Sequence, residues 1–449
     1  MISKIKKTKL APTQVLMLGF AVLIIIGAIL LNLPIASVSR TSIGFLDALF
    51  TSTSAVCVTG LVVVDTGTHW SAFGKTVILI LIQIGGLGFM TMGTMIVMLL
   101  GKKISLKDRL VMKEALNRNE LSGVVKLTRY ILFGTFLIQS IGALLLSFKF
   151  IPEFGLGKGI AYSIFHSISA FCNAGFDIIG NGRSLMAYVD NIYVNVVVWL
   201  LIILGGLGFA VILDIVKIRK FKRFSLHSKI VVFVTAVLLG AGFVVFLVLE
   251  WGNPNTLGDL GYGSRFMAAF FQSVTTRTAG FNTISTGELT NASKLFTVIL
   301  MFIGGSPAST AGGVKTVTVG ALLFMVYSVL RGREETEIFG RRISRNLVNR
   351  AATIVAIGIS IVLTMTMLLT ITEYNQPFIN ILFESVSAFA TVGLSTGLTP
   401  ELTGAGRIIV MIMMFIGRLG PLTVAFALAN KLRKSNVKIR YPEENILVG

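Results

Sequence analysis

The sequence predicts an all-α integral membrane protein with eight transmembrane helices, arranged as four repeated units that each contain a short re-entrant helix. Three observations support this: the composition, eight long apolar stretches, and a short segment that recurs four times between them. Of the 449 residues, 54% are hydrophobic and 13% are charged, and the mean hydropathy is +0.84. A soluble chain carries roughly 25% charged residues, so lipid must solvate much of this surface.

The apolar stretches have the length of membrane spans. A helix that crosses the roughly 30 Å hydrocarbon core needs about 20 mostly apolar residues. Suitable stretches occur at residues 14–34, 76–100, 130–151, 191–216, 229–250, 295–330, 351–373 and 406–430. The first follows a basic segment, but its apolar run is longer than that of a signal peptide and no convincing cleavage site follows it. We therefore expect eight retained spans.

The basic residues predict the orientation. The chain carries 40 Lys and Arg against 20 Asp and Glu, a formal net charge of +20. Of the 40, 29 lie in residues 1–10, 101–129, 217–229, 331–350 and 431–449. An eight-span chain has all five segments on one side, which the positive-inside rule makes cytoplasmic, with both termini. This topological role and attraction to anionic membrane lipid together account for most of the charge. A docking surface for a soluble partner is compatible with it. We do not expect binding to nucleic acid.

Signatures of enzymes and metal sites are few. Two Cys exclude a disulfide framework, and three scattered His leave little for a histidine-based metal site. A membrane serine protease needs a GxSG-type nucleophile and a later His, whereas this chain lacks the Ser motif and has no His after His227. The longest cytoplasmic loop, residues 101–129, is too short for the catalytic domain of a pump. We expect no enzymatic activity and no tightly bound cofactor.

A segment of 17 residues recurs between consecutive spans on the outer side. Aligned without gaps, its copies are Phe45–Leu61, Ile160–Phe176, Arg265–Phe281 and Phe378–Leu394. The shared positions are a glycine (Gly60, Gly175, Gly280 and Gly393), a Phe ten residues earlier (Phe50, Phe165, Phe270 and Phe383), and Ser or Gln eight residues earlier (Ser52, Ser167, Gln272 and Ser385). Each copy is too short to cross, so we predict a re-entrant helix followed by a glycine-containing turn.

The spans after these segments also echo one another, at Gly85–Gly88, Gly205–Gly208, Gly304–Pro307 and Gly417–Gly420. The predicted unit is a span, a re-entrant helix and a second span. Its copies occupy residues 1–100, 101–228, 229–350 and 351–430, and the cytoplasmic tail 431–449 follows.

Four equivalent turns at membrane depth restrict the function. Non-helical backbone is tolerated there only inside protein or facing water, so the turns most simply surround a pseudo-fourfold axis. Carbonyl oxygens around such an axis can replace the hydration shell of a cation, and the negative ends of the four helix dipoles favour positive charge. For a single glycine, a tight turn or helix packing through small residues is the alternative. The four copies together favour a cation pore.

A resemblance to a known family is carried by the four glycine-containing segments, the SPASTAGGVK stretch at 306–315 and the FIGRLGPLT stretch at 415–423. Through them the chain resembles the potassium transporters of the Ktr/Trk/HKT superfamily, most closely the membrane subunit of bacterial Ktr systems. The resemblance covers essentially the whole chain. It implies four M1–P–M2 units and a selectivity filter made of Cys57, Val58, Thr59, Gly60, Cys172, Asn173, Ala174, Gly175, Arg277, Thr278, Ala279, Gly280, Ala390, Thr391, Val392 and Gly393. In that family four filter glycines accompany potassium selectivity. The unequal strands VTG, NAG, TAG and TVG also lead us to expect some sodium passage.

The second span of the third unit is interrupted by glycines, hydroxyl residues and a proline. The interruption comprises Gly304, Gly305, Ser306, Pro307, Ala308, Ser309, Thr310, Ala311, Gly312 and Gly313. Such a run is a poor helix interior, and the resemblance implies an intramembrane gating loop. A structural kink without gating is the alternative. A P-loop is excluded because Val314, and not Gly, precedes Lys315.

Arg418 lies deep in an apolar run, where an arginine is costly and usually faces a pore or a partner. The resemblance implies a fixed charge that contacts the gating loop and limits cation flux. The alternative is a structural clamp on backbone carbonyls, and the two roles are compatible.

Five further residues are weaker candidates. Cys57 and Cys172 are expected to pack in the filter wall and not to bind metal. Arg277 either tunes the potential of the entrance or pairs with an acid. Asp47 and Glu384 either concentrate cations at the mouth or serve as capping or pairing groups.

The resemblance also implies the biological setting. It predicts potassium uptake across the bacterial plasma membrane by a multi-pass homodimer, either passive or coupled to another ion by symport, with sodium stimulation left open. Because the chain has no ligand-binding cytosolic domain in its sequence, control is assigned to a partner, a cytosolic ring of nucleotide-binding subunits. Nucleotide is expected on that partner only, and the tail 431–449 is a candidate contact.

Overall fold

A computed structural model describes residues 12–88 and 124–420, together with positions 91, 110–112, 423 and 424. The predicted basic segments 1–10 and 431–449, and most of 101–129, lie outside these residues. The helices are α1 (Pro12–Leu31), α2 (Phe45–Cys57), α3 (Thr66–His69), α4 (Ala72–Leu87), α5 (Val124–Phe154), α6 (Leu156–Cys172), α7 (Ile192–Leu207), α8 (Phe209–Ile218), α9 (Leu226–Glu250), α10 (Tyr262–Thr275), α11 (Asn291–Phe302), α12 (Thr316–Leu330), α13 (Arg345–Thr372), α14 (Phe378–Ala390) and α15 (Gly404–Leu419). Strands β1 (Glu337–Ile338) and β2 (Arg341–Arg342) form an antiparallel hairpin.

Within the described residues, four helices are long and apolar enough to cross a membrane: α1, α5, α9 and α13. A fifth crossing is reached if α7 and α8 count as one, but they meet at an angle of 103°. The stretch predicted as a span at 191–216 is therefore present as two helices and not as one straight helix. Gly208 separates the two helices with a φ of +88°, a conformation that ends a helix and that glycine adopts without steric cost. The count of eight spans stays a prediction, as do the unit boundaries.

The helices α4, α7, α11 and α15 begin in the same way. Each has a side-chain N-cap that accepts the N–H of the residue three positions later, and the caps are Ser71, Asn191, Thr290 and Thr403. Each helix also ends before the end of the apolar stretch that contains it. The residue after the helix is Gly88, Gly208, Ile303 or Gly420. The expected interruption of 295–330 is present, since α11 ends at Phe302 and α12 begins at Thr316.

Large apolar side chains on the long helices face outward, as expected where lipid is the solvent. On α5, Phe133 is 70% exposed and Phe148 is 67% exposed, which a soluble helix would avoid. The buried side chains form two main clusters. The larger joins residues of the first and fourth units, such as Phe50 and Phe389, and the second joins the second and third, such as Phe171 and Phe271. The first and fourth units therefore share one core, to which the second and third units also contribute, for example through Phe165 and Met301.

Candidate functional site

Each predicted filter strand begins where a short helix ends. The helices α2, α6 and α14 stop immediately before a residue with left-handed backbone, and these residues are Val58 (φ 57°), Asn173 (φ 58°) and Thr391 (φ 52°). In the third unit the left-handed residue is Thr278, with φ 65°. One left-handed residue redirects the chain from the helix towards the filter glycine.

The N–H groups of the first strand fold back onto α2. Thr59 N–H donates to the carbonyl of Ser54 at 2.8 Å, and Gly60 N–H donates to Ser54 Oγ at 3.0 Å. The fourth strand repeats both contacts on Ser387, at 2.9 and 3.1 Å. Because these N–H groups donate to the short helices, the carbonyl oxygens are the backbone groups of the two strands that remain available to a cation.

The four filter glycines adjoin one another in a closed cycle. A Cβ on Gly60 would lie 3.0 Å from the Cα of Gly175, and a Cβ on Gly175 would lie 2.9 Å from the Cα of Gly280. On Gly280 it would lie 3.3 Å from the Cα of Gly393, and on Gly393 it would lie 3.1 Å from the Cα of Gly60. All four have positive φ, between 70° and 91°. Because of the close approach and the φ values, a side chain at any of these positions would strain the backbone and displace the neighbouring strand.

The ungapped alignment of the third unit is wrong by one residue. Ser52 and Ser167 donate through Oγ to carbonyls of the preceding long helix, at 2.7 Å in both units. In the third unit Ser273, and not Gln272, makes this contact, with the carbonyl of Leu239 at 2.8 Å. The third copy therefore has one residue fewer between this Ser contact and its filter glycine, seven positions from Ser273 to Gly280 against eight from Ser52 to Gly60. Adjacent Phe270 and Phe271 hide the shift in the sequence, because either could fill the Phe position.

The loop Gly304–Gly313 is pinned at both ends and seated on the second unit. Ile303 and Val314 form a bridge that closes its base. Ser306 N–H donates to the carbonyl of Gly206 at 3.0 Å, and Thr310 N–H donates to that of Gly205 at 3.2 Å. The Gly205–Gly206 pair thus supplies backbone acceptors at the point where the loop docks.

The same loop reaches the filter from two sides. Thr310 Oγ1 donates to the carbonyl of Phe171, near the end of α6, at 3.1 Å. A Cβ on Gly312 would lie 2.0 Å from Thr391 Oγ1 and 2.8 Å from the carbonyl of Ala390. The loop therefore lies directly against the second and fourth strands.

Arg418 holds the loop to the first unit. Its guanidinium donates to the carbonyl of Thr310, to that of Gly85, and to that of Gly86 at 3.1 Å. Contact with the loop and a clamp on backbone carbonyls were the two roles considered for this residue, and one guanidinium makes both kinds of contact.

Two of the weaker candidates have structural partners. Asp47 forms an ion pair with Arg407. Glu384 is fully buried and accepts hydrogen bonds from Ser395 Oγ, from Thr396 N–H at 3.2 Å and from Thr399 Oγ1 at 3.0 Å. Pairing and capping therefore occupy both carboxylates.

The remaining candidates are buried in the filter wall. Cys57 and Cys172 are free thiols with no exposed surface, and no cluster of three metal-ligating side chains occurs within the described ranges. Arg277 is 7% exposed, and its Nε and Nη1 have no hydrogen-bond partner. Over residues 12–88 and 124–420 no ion pair includes it, so the proposed pairing with an acid is not found.

Sequence reasoning missed the hydroxyls that support the strands. Ser54, Ser169 and Ser387 all stand six residues before a filter glycine, and each bonds to the backbone at or next to that glycine. Thr275 plays this part in the third unit through the carbonyl of Phe281. The recurrence of Ser at one aligned position was the available signal.

Comparisons place the chain beside known transport proteins. The family model TrkH, described as a cation transport protein, matches residues 9–438. The chain is 47% identical over 445 residues to the Ktr system potassium uptake protein B of Bacillus subtilis, covering 99% of this chain and 98% of that protein. It is 46% identical over 446 residues to the potassium/sodium uptake protein NtpJ of Enterococcus hirae, again covering 99% and 98%.

One solved structure shares the fold. The potassium transporter TrkH from Vibrio parahaemolyticus matches with a TM-score of 0.74 over 96% of this chain and 88% of that chain. The two sequences are 16% identical, so the likeness concerns architecture alone.

Proposed function

The chain belongs to the TrkH family of cation transport proteins, and from that premise we propose that it carries potassium into the cell through a filter built from four glycine-containing strands around a pseudo-fourfold axis. Family membership makes it a multi-pass membrane transport protein and not an enzyme. The relatives named above are potassium or potassium/sodium uptake proteins.

The closed cycle of Gly60, Gly175, Gly280 and Gly393 carries the proposal. Strands whose N–H groups donate to the preceding short helix can present their carbonyl oxygens to a central ion. Such oxygens replace the water that a monovalent cation sheds. The short helices end at the strands and direct the negative ends of their dipoles to the same place. Both effects favour a cation over an anion.

Gating is assigned to the loop Gly304–Gly313 together with Arg418. The loop lies against two strands and is held by an arginine to the carbonyls of Gly85 and Gly86. A loop in this place obstructs a path that leaves the filter on the side of the helix C-termini. The positive charge of Arg418 adds an electrostatic barrier to cations.

The proposed setting is the bacterial plasma membrane, with both termini in the cytoplasm and two copies in the assembly. The name of the Bacillus subtilis relative contains the word system, which supports a partner subunit, here a cytosolic ring that binds nucleotide. Symport and sodium stimulation belong to the same proposal. The candidate contact at 431–449 lies beyond the residues that the structure describes.

A second function, conduction of sodium, is favoured by two observations. The Enterococcus hirae relative is named a potassium/sodium uptake protein, and the four strands here differ in sequence. Strands of unequal sequence form less regular carbonyl rings, so we expect potassium preference with measurable sodium passage.

The test is growth of a cell that lacks potassium uptake. The chain, expressed with its proposed partner, should restore growth at low external potassium, whereas the empty vector should not. Parallel cultures with and without sodium measure sodium stimulation. Absence of rescue at verified membrane expression would contradict potassium uptake.

A further inference from the structure

The side chain of Asn173 connects the loop Gly304–Gly313 to the third filter strand. Its Oδ1 accepts a hydrogen bond from Thr310 Oγ1 at 3.3 Å, and its Nδ2 donates to the carbonyl of Arg277 at 3.2 Å. The residue is 1% exposed and belongs to the second strand. One amide group therefore joins the loop, the second strand and the third strand.

The second unit alone has an amide at this point of the filter. The corresponding left-handed residues are Val58, Thr278 and Thr391. An amide has a donor group and an acceptor on one rigid plane, whereas valine has neither and threonine has a single hydroxyl. Asn also adopts left-handed backbone more readily than other residues with a side chain.

The packing around Asn173 leaves room for this bridge. A Cβ on Gly205 would lie 2.6 Å from Asn173 Oδ1, so a larger residue there would displace the amide. Gly205 also accepts the N–H of Thr310. A glycine in α7 therefore admits the loop and the filter side chain to the same small space.

The hydroxyl of Thr310 is not needed to seat the loop. The Thr310 backbone is held separately, by its N–H on Gly205 and by Arg418 on its carbonyl. The hydroxyl instead shares its one hydrogen between the carbonyl of Phe171, near the end of α6, and Oδ1 of Asn173 in the second strand. A displacement of the loop away from the second unit would break these contacts.

We propose that Asn173 is a positioning residue that couples the loop to the filter, so that the position of the loop sets ion selectivity as well as flux. With the loop seated, Thr310 orients the amide and the amide holds the Arg277 carbonyl in the third strand. With the loop displaced, the amide is released and that strand loses a constraint. This inference rests on the proposed function.

The coupling differs in kind from simple obstruction. A plug changes the passage of potassium and sodium by the same factor. A loop that bonds to a filter side chain instead binds one arrangement of the filter more strongly than another. This difference in binding free energy is what couples the position of the loop to the arrangement of the filter. The ratio of the two fluxes therefore separates the two models.

The test measures potassium and sodium uptake by the full chain in cells, with its partner present. Thr310→Val removes the hydroxyl and keeps the size and the backbone contacts. We expect the potassium-to-sodium uptake ratio to fall by roughly two- to ten-fold, the effect of one net hydrogen bond. Thr310→Ser retains the hydroxyl and should restore the ratio.

Ser309→Ala is the matched control in the same loop. Within the described part of the chain, the Ser309 hydroxyl bonds to loop atoms alone, the carbonyl of Ser306 and the N–H of Ala311, so this variant should keep the ratio whatever its total flux. Asn173→Ala should lower the ratio as Thr310→Val does, and the double variant should add little. An unchanged ratio in Thr310→Val, or equal shifts in Ser309→Ala, would overturn the coupling. Failure of the unaltered chain to take up potassium would instead refute the proposed function.

Discussion

The filter glycines are required for two separate reasons. Gly60 has a φ of +91°, where a side chain is strained, and a Cβ there would lie 2.4 Å from the carbonyl oxygen of Ala174. Gly44 has a similar φ of +96° but nothing within 4 Å of a Cβ. A side chain at Gly44 would therefore strain the backbone alone, whereas a side chain at Gly60 would also collide with the neighbouring strand.

We predict that Gly60→Ser raises sodium uptake relative to potassium by about ten-fold, which corresponds to about 1.4 kcal/mol of lost discrimination. The added side chain displaces a carbonyl of the neighbouring strand, so the oxygens fit potassium less well. Ion uptake in cells measures the ratio. Gly44→Ser is the control, and an equal change in both variants would argue against the filter assignment.

Arg418 illustrates how a half-buried charge can be held by backbone carbonyls. Its guanidinium spans the carbonyls of Thr310, Gly85 and Gly86, which accept its N–H groups in place of a carboxylate. Arginine suits this task because its planar fork carries five donors.

We predict that Arg418→Ala increases basal potassium flux, because the loop loses its attachment to the first unit and the path loses a positive charge. Arg418→Lys keeps the charge with a smaller set of donors and should fall between the two. Flux is measured at matched membrane expression. Kinetics of the Ala variant identical to the unaltered chain would leave only a structural clamp.

Among the helices, the break between α11 and α12 distinguishes the third unit. The corresponding helices α4, α7 and α15 are each followed by a glycine with positive φ, namely Gly88, Gly208 and Gly420. In contrast, α11 is followed by the loop Gly304–Gly313. The bridge between Ile303 and Val314 keeps the ends of the loop together. The loop can therefore change without separating the two helices.

We predict that deletion of Ser306–Gly312 increases basal potassium flux roughly ten-fold, as expected if the loop closes the path most of the time. The bridge at its base allows the shortened chain to close. Flux at matched expression is the measurement. Equal or lower flux would refute a gating role and favour a structural kink.

At the scale of the whole molecule, the first and last units are joined by an ion pair between residues 360 positions apart, Asp47 and Arg407. Both side chains are about a fifth exposed, at 24% and 21%, so solvent screens part of the attraction. The pair lies beside the buried cluster that the same two units share. It therefore helps to hold the first and fourth units together.

We predict that Arg407→Ala lowers stability by roughly 1 kcal/mol, with a lower Tm for the purified protein in detergent. The exchanged pair, with Asp47→Arg and Arg407→Asp together, should recover part of the loss. A Tm unchanged in Arg407→Ala, or no recovery in the exchanged pair, would show that this contact does not hold the first and fourth units together.

The sequence by itself determined the membrane class, the four glycine segments and the interruption of 295–330. These properties are local, because composition reports the solvent and a repeated glycine marks a repeated backbone conformation. Even the conserved spacing of Ser54, Ser169 and Ser387 was present in the letters.

Only the tertiary structure decided which groups meet. It revealed the 103° bend at Gly208, the single-residue shift in the third unit, the partner of Asp47 and the bridge from Asn173 to Thr310. Each of these depends on packing between separate segments, from 34 residues apart for Ser273 and Leu239 to 360 for Asp47 and Arg407, or on a φ that glycine permits without requiring. Such contacts follow from the way the units close against one another, and local sequence patterns do not encode that closure.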